Sequence, residues 1–137
     1  MALQVSILTP KKVFAEDVQA SQVILPGNSG HVGILPNHAN LVSCIEVGVL
    51  SLKTQDEWQF FAVNTGFASV QRDRVLVLVE FAEGHDDIDR DEAEQDLESA
   101  LSAFGQEGAD LKTSLEAKFA LKRARTRLAV KTKSAQA

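Results

Sequence analysis

Leu3, Val5 and Ile7 alternate with Gln4 and Ser6, the period-2 pattern of a strand with one buried face. Residues 47–53 repeat the pattern, with Val47 and Val49 on one side, and residues 57–64 are rich in aromatic and β-branched side chains. Residues 74–81 (Arg-Val-Leu-Val-Leu-Val-Glu-Phe) are almost continuously apolar, which predicts a strand buried on both faces. Turn signals separate these runs: Thr9-Pro10, the Pro-Gly-Asn-Ser-Gly of residues 26–30, Pro36-Asn37, residues 54–57 and residues 71–73. Many short strands at close spacing predict an all-β sandwich or barrel over residues 1–84.

After Gly84 the period changes. Ala93, Leu97, Ala100, Leu101 and Phe104 recur at helical spacing. Asp89 is placed as an N-cap, with Glu92 three residues on as capping-box partner. Gly105 and Gly108 predict a stop near Phe104. A second helix is expected from about Asp110 to about Val130, its apolar stripe supplied by Leu111, Leu115, Leu121, Ala124 and Leu128. The short Gly-Gln-Glu-Gly connection makes the two helices antiparallel neighbours. The expected organisation is thus a β-sandwich N-terminal domain (1–84), a C-terminal antiparallel α-helical hairpin (87–131) and a disordered tail (132–137).

Charge sharpens the picture of the hairpin. Residues 86–98 hold eight acids and one base, Arg90, whereas residues 112–133 hold eight bases and one acid, Glu116. Lys118, Lys122 and Arg125 share a face, and Arg123 and Arg127 form a neighbouring row. A solvated face with favourable pairing between the helices is one complete explanation. A second adds function: narrow, Ala-rich stripes bury little area, so the hairpin should dock weakly and release its basic helix to an acidic partner.

The rest of the chain offers no catalytic chemistry. The formal net charge of -5 argues against a general nucleic-acid binder. The apolar runs, such as residues 75–79, are too short to span a bilayer, and the N-terminus does not read as a secretory signal or a transit peptide. The expectation is a protein made where it works, with any membrane association through a partner. Cys44 is the single cysteine, read as a small hydrophobe in a strand. Residues 27–33 lack the Gly-Lys-Ser/Thr ending of a phosphate loop. The histidines are His31, His38 and His85; His31 and His38 could approach each other but have no acid at a ligand-like offset, and no nucleophile elbow exists. No catalytic residue, cofactor or metal is expected.

Three segments resemble, in order, the epsilon subunit of F-type ATP synthases. Residues 23–39 (Val-Ile-Leu-Pro-Gly-Asn-Ser-Gly-His-Val-Gly-Ile-Leu-Pro-Asn-His-Ala) carry Gly30, Gly33, Ile34, Leu35, His38 and Ala39 at the family's positions. The glycines are expected to permit positive φ, and Ile34 and Leu35 to anchor the loop in the core. Asn64-Thr-Gly-Phe-Ala68 is similar to the family's Gly-Gly-Phe-Ala, and Leu121-Lys-Arg-Ala-Arg-Thr-Arg-Leu128 to its basic C-terminal helix. The wording leans to the plastid type, with the cyanobacterial type next.

The resemblance implies a non-catalytic rotor subunit. Its sandwich would grip the gamma subunit and rest on the c-ring, with a contact loop of Gly30, His31, Gly33, Ile34, Leu35 and His38. Its extended hairpin would reach the alpha/beta catalytic head through Lys118, Lys122, Arg123, Arg125 and Arg127 and stop ATP hydrolysis. The implied location is peripheral on the stromal side of the chloroplast thylakoid membrane, or the cytoplasmic side of a cyanobacterial one. There are departures: His31 stands where many members have an acid, Asn40 replaces a common proline, and Asn64-Thr65 replaces a more usual Leu/Met-Gly. Some bacterial members bind ATP through Ile-Asp-x-x-Arg-Ala. Here Glu92 holds the arginine position, so a carboxylate would repel phosphate and ATP binding is expected to be weak or absent. Two alternatives stand beside this reading. One is a purely structural coupling subunit without inhibition. The other is a small β-domain whose basic helix binds nucleic acid or an anionic membrane.

Overall fold

The computed structural model describes residues 2–28, 30–55, 57–104 and 110–136, the last three without their side chains. The alternating Leu3, Val5 and Ile7 form β1 (Leu3–Leu8), all three fully buried. Then follow β2 (Val13–Ala20), β3 (Gln22–Gly27), β4 (Gly30–Ile34), β5 (Leu41–Ile45), β6 (Gly48–Thr54), β7 (Glu57–Val63), β8 (Gly66–Gln71), β9 (Arg74–Val79) and β10 (Ala82–Gly84). They make one sheet in the order β10-β7-β6-β3-β5-β8-β9-β1-β2, with β4 paired to β3. β1 and β9 run parallel, and the other pairings are antiparallel. The sheet closes on one core containing Leu3, Ile7, Leu25, Ile34, Ile45, Leu50, Leu52 and Val77.

Several strands escaped the sequence pattern, and β2 shows why. Asp17 has φ 48°, the register against β1 shifts between Val5 and Ile7, and the Asp17 amide donates to Ser6 Oγ at 3.0 Å. A bulge there breaks the alternation on which strand recognition depends. β9 corrects a second expectation. It is not buried on both faces: Val75, Val77 and Val79 point inward, while Leu76 is 36% exposed. Its outer face has no cover from the rest of the described chain.

A 3-10 turn (His85–Asp87) leads into α1 (Arg90–Phe104), and α2 spans Leu111–Gln136. Asp89 Oδ1 accepts the Glu92 amide at 3.1 Å, the expected N-cap of α1. Asp110 Oδ1 accepts the Thr113 amide at 2.8 Å and starts α2 the same way. The predicted connecting turn, residues 105–109, lies outside the described residues. α2 runs past the expected helix end near Val130, its backbone helical to Gln136. The seated C-terminal half supplies the reason. Val130 is fully buried, Lys131 Nζ donates to the His85 carbonyl at 3.0 Å, and Lys133 Nζ lies 5.6 Å from the Phe60 ring centroid.

Candidate functional site

The hairpin covers the outer face of β6 and β7. There Val49 pairs across the strands with Ala62, and Ser51 with Phe60. Val130, Leu128, Ile88 and Ala93 close over Ala62, Val49 and Phe60. The helix–helix joint is equally small: Ala100, Leu121 and Ala124, with Leu97 beside them. Ile88, Asp89 and Ala93 therefore have structural work here, two as packing residues and one as the cap of α1. The predicted α2 stripe is only half right. Leu121, Ala124 and Leu128 pack as expected, but Leu111 is 75% and Leu115 57% exposed, as are Leu101, Phe104 and Phe119 in good part.

At the junction of the three elements sits Arg127, only 8% exposed. Its Nε donates to Glu83 Oε1 at 2.7 Å and its Nη2 to Glu83 Oε2 at 3.1 Å, a two-pronged pair with β10. Its Nη1 donates to Asp96 Oδ2 at 2.8 Å, and Nη2 lies 3.5 Å from Glu92 Oε1, both on α1. Burial works to lower the Arg127 pKa. The hydrogen bond to Glu83 and the charges of Glu83, Glu92 and Asp96 outweigh it and hold the guanidinium above its ordinary value. Arg127 thus departs from the solvated basic row in which the sequence placed it. It also carries the ion pairs that the described residues form between α1 and α2.

The other basic residues differ in state. Lys122 Nζ reaches Glu46 Oε2 of the sandwich at 3.3 Å. Arg123 stacks over the Phe81 ring at 5.0 Å. Lys118 and Arg125 are exposed and make no ion pair with the described residues. Beside Arg127 opens a cleft of about 620 Å³ lined in part by Phe81, Glu83, Glu92, Asp96, Phe119 and Arg123. Its three carboxylates make it a poor host for phosphate. Glu92, moreover, is already turned to the cation that a phosphate would need.

The sequence-predicted loop lies elsewhere on the sandwich. Gly30 has φ +117°, which favours glycine, but Gly33 shows no positive φ and open space where a Cβ would stand. Ile34 is fully buried as expected, whereas Leu35 is 55% exposed and does not anchor in the core. His31 is exposed and His38 half-buried. The loop is held from below, with the Asn37 amide donating to Asp73 Oδ1 at 2.7 Å and the His38 amide to the Leu35 carbonyl at 3.1 Å. Among the described residues no group of three His, Cys, Asp or Glu is placed to hold a metal ion, and no helix is long and apolar enough to cross a membrane.

Sequence reasoning missed the outer face of β5, β8, β9 and β1. Registers align Cys44, Phe67, Leu78 and Leu8 in one row, and Val42, Ser69, Leu76 and Ser6 in the next. Val42 is 75% and Phe67 47% exposed. Cys44, read as a small hydrophobe in a strand, lies in β5 and is exposed on this face. The sequence read residues 74–81 as one apolar run; only the sheet order sets Leu76 and Leu78 on the side away from the core.

The comparisons with known proteins agree with this architecture. Residues 2–85 match the family model described as the ATP synthase delta/epsilon chain, beta-sandwich domain. The chloroplastic ATP synthase epsilon chain of Tupiella akineta is 42% identical over 131 residues, covering 93% of this chain and 96% of that one. That of Oltmannsiellopsis viridis is 39% identical over 130 residues, covering 95% and 98%. A chain in the solved mitochondrial ATP synthase of Euglena gracilis superposes with a TM-score of 0.81 at 17% identity, over 99% of this chain and 82% of that one. The sandwich, the hairpin after it and the full-length likeness to epsilon chains lead to one assignment: this chain belongs to the ATP synthase delta/epsilon family, as an epsilon chain.

Proposed function

We propose that this chain is a non-catalytic rotor subunit in the central stalk of a proton-translocating F-type ATP synthase. It couples rotation to ATP synthesis and restrains ATP hydrolysis through its C-terminal helix. The observation that carries the inhibitory part is the division of α2. Its C-terminal half is seated on the sandwich through small apolar contacts and ion pairs. Its N-terminal half presents Leu111 and Leu115 to solvent, followed on the same side by Lys118, Lys122 and Arg125. An exposed stripe of two leucines and three cations suits an acidic, partly apolar surface on the catalytic head. Lys118, Lys122, Arg123 and Arg125 make that contact when the hairpin extends; the buried Arg127 joins them only after release.

The bare face of Val42, Phe67 and Leu76 receives the gamma subunit, because three large apolar side chains in a flat, framed patch mark a docking surface. The loop carrying Gly30, His31, Gly33, Ile34, Leu35 and His38 rests on the polar loops of the c-ring, with the exposed His31 and Leu35 foremost. The chloroplastic relatives support a place in the chloroplast, peripheral on the stromal side of the thylakoid membrane. Glu92 and its neighbours leave the isolated chain with weak or no ATP binding.

The deciding experiment is ATP hydrolysis by an epsilon-depleted catalytic head, with this chain added back whole or cut after Gly84. Inhibition by the whole chain alone supports the helix as the brake. Equal inhibition by both moves the brake to the sandwich. Binding without inhibition by either favours a purely structural coupling subunit.

A further inference from the structure

Among the described residues, Arg127 is the side chain whose hydrogen bonds and ion pairs join α2 both to the sandwich, through Glu83, and to α1, through Asp96 and Glu92. We propose that Arg127 is a latch shared by two joints, so that its release undocks the hairpin from the sandwich and parts its two helices in one event.

Three observations carry this. First, few apolar residues are buried at either joint: Ala62, Ile88, Ala93 and Val130 at one, with Val49, Phe60 and Leu128 against them, and Ala100, Leu121 and Ala124 at the other, with Leu97. Little buried area leaves much of the hold to the charged group. Second, the guanidinium divides its donors between the joints, Nε and Nη2 to Glu83 and Nη1 to Asp96. A lysine, with one nitrogen, cannot reproduce that fork. Third, the three carboxylates around Arg127 outnumber it, and Glu83 is only 9% exposed. Without the arginine, an uncompensated carboxylate of the sandwich faces two carboxylates of α1, and attraction turns to repulsion. Arg123, on the same cleft, is engaged over Phe81 and makes no ion pair with these carboxylates among the described residues.

The regulatory meaning of the latch rests on the inhibitory reading above, but the latch itself is tested without ATP hydrolysis, so the two can fail separately. In the full chain, spin labels on Cys44 and on Ser114→Cys report the sandwich-to-α2 distance. Labels on Ser102→Cys and Ser114→Cys, in a Cys44→Ser background, report the helix-to-helix distance. All three label positions are exposed. Arg127→Ala is expected to lengthen both distances together and to lower the docked-to-undocked ratio on the order of a hundredfold. Glu83→Gln should lengthen mainly the first distance, and Glu92→Gln with Asp96→Asn mainly the second. Adding Glu83→Gln to Arg127→Ala should recover docking, since it removes the orphaned charge. Arg127→Lys should shift both distances part of the way and serves if Arg127→Ala does not fold. The latch is overturned if Arg127→Ala leaves both distances unchanged, if it moves one without the other, or if the double variant docks no better than Arg127→Ala alone.

Discussion

The two outer faces of the sandwich are built from the same sheet and meet different fates. Over β6 and β7, Val49, Ala62 and Phe60 lie under the chain's own α2. Over β5, β8 and β9, Val42, Phe67 and Leu76 lie bare. The covered face is small and framed by ion pairs, Lys122–Glu46 at its rim and Arg127–Glu83 at its buried edge. Such a face is suited to reversible cover, because its hold depends on a few charged groups that can be exchanged. The bare face is larger in side chain and framed by serine and glutamine, with no cover from the described chain. A face of that kind is suited to a standing interface with another subunit.

The strongest way to break the comparison is to strike what both faces share. Gly66 lies where β8 meets β9, and an added Cβ would clash with the Leu78 carbonyl oxygen and stand 2.7 Å from Val79 Cα. Gly66→Ala is expected to destabilise the sandwich by about 3 kcal/mol, read by chemical denaturation. Both faces should weaken together. This is also the physical reason for the glycine in the Asn-Thr-Gly-Phe-Ala segment: close backbone approach, with no positive φ involved.

Next, Val130→Asp places a carboxylate at a fully buried position over Ala62. Hydrogen exchange should show the docked state disfavoured on the order of a hundredfold, with α2 amides losing protection while the sandwich core keeps its own. A sandwich that loosens equally would mean that the covered face is part of the core after all. Phe67→Glu addresses the bare face alone. It should weaken binding to the gamma subunit by about tenfold or more, and leave the thermal transition of the isolated chain unchanged. Unchanged gamma affinity would move the standing interface elsewhere on the sandwich.

The smallest effect calibrates the others. Asp110 is held below its ordinary carboxyl value, by the Thr113 side chain first and the Thr113 amide next. A depressed carboxyl stabilises the start of α2 above the ordinary aspartate pKa, and that support fades as pH falls through the lowered value. Asp110→Ala should abolish this acid-side fraying at residues 111–114, followed by amide exchange against pH. Neither face should respond, since this end of α2 is exposed.

Much of this architecture was legible in the chain itself. Local rules suffice where the cause is local: alternation marked β1, the change of period after Gly84 marked the hairpin, and Asp89 and Asp110 announced the helix starts. The alternation in β9 was masked, because valine inside and leucine outside read as one apolar run; only the sheet order distinguishes them. Leu35 illustrates the same limit, as an apolar residue in a loop motif whose exposure depends on where the loop projects.

Arg127 marks the boundary most clearly. By itself the sequence determined that α2 is basic and α1 acidic, that a β-domain precedes a hairpin, and which family the chain belongs to. It could not tell Arg127 from Arg125, since helical spacing gives each residue a direction but not a neighbour. Only the tertiary structure placed Glu83, Glu92 and Asp96 around one guanidinium and none of them around the other. The physical reason is that pairing in a buried junction depends on the distances between three separate elements, and those distances exist only once the hairpin lies on the sandwich.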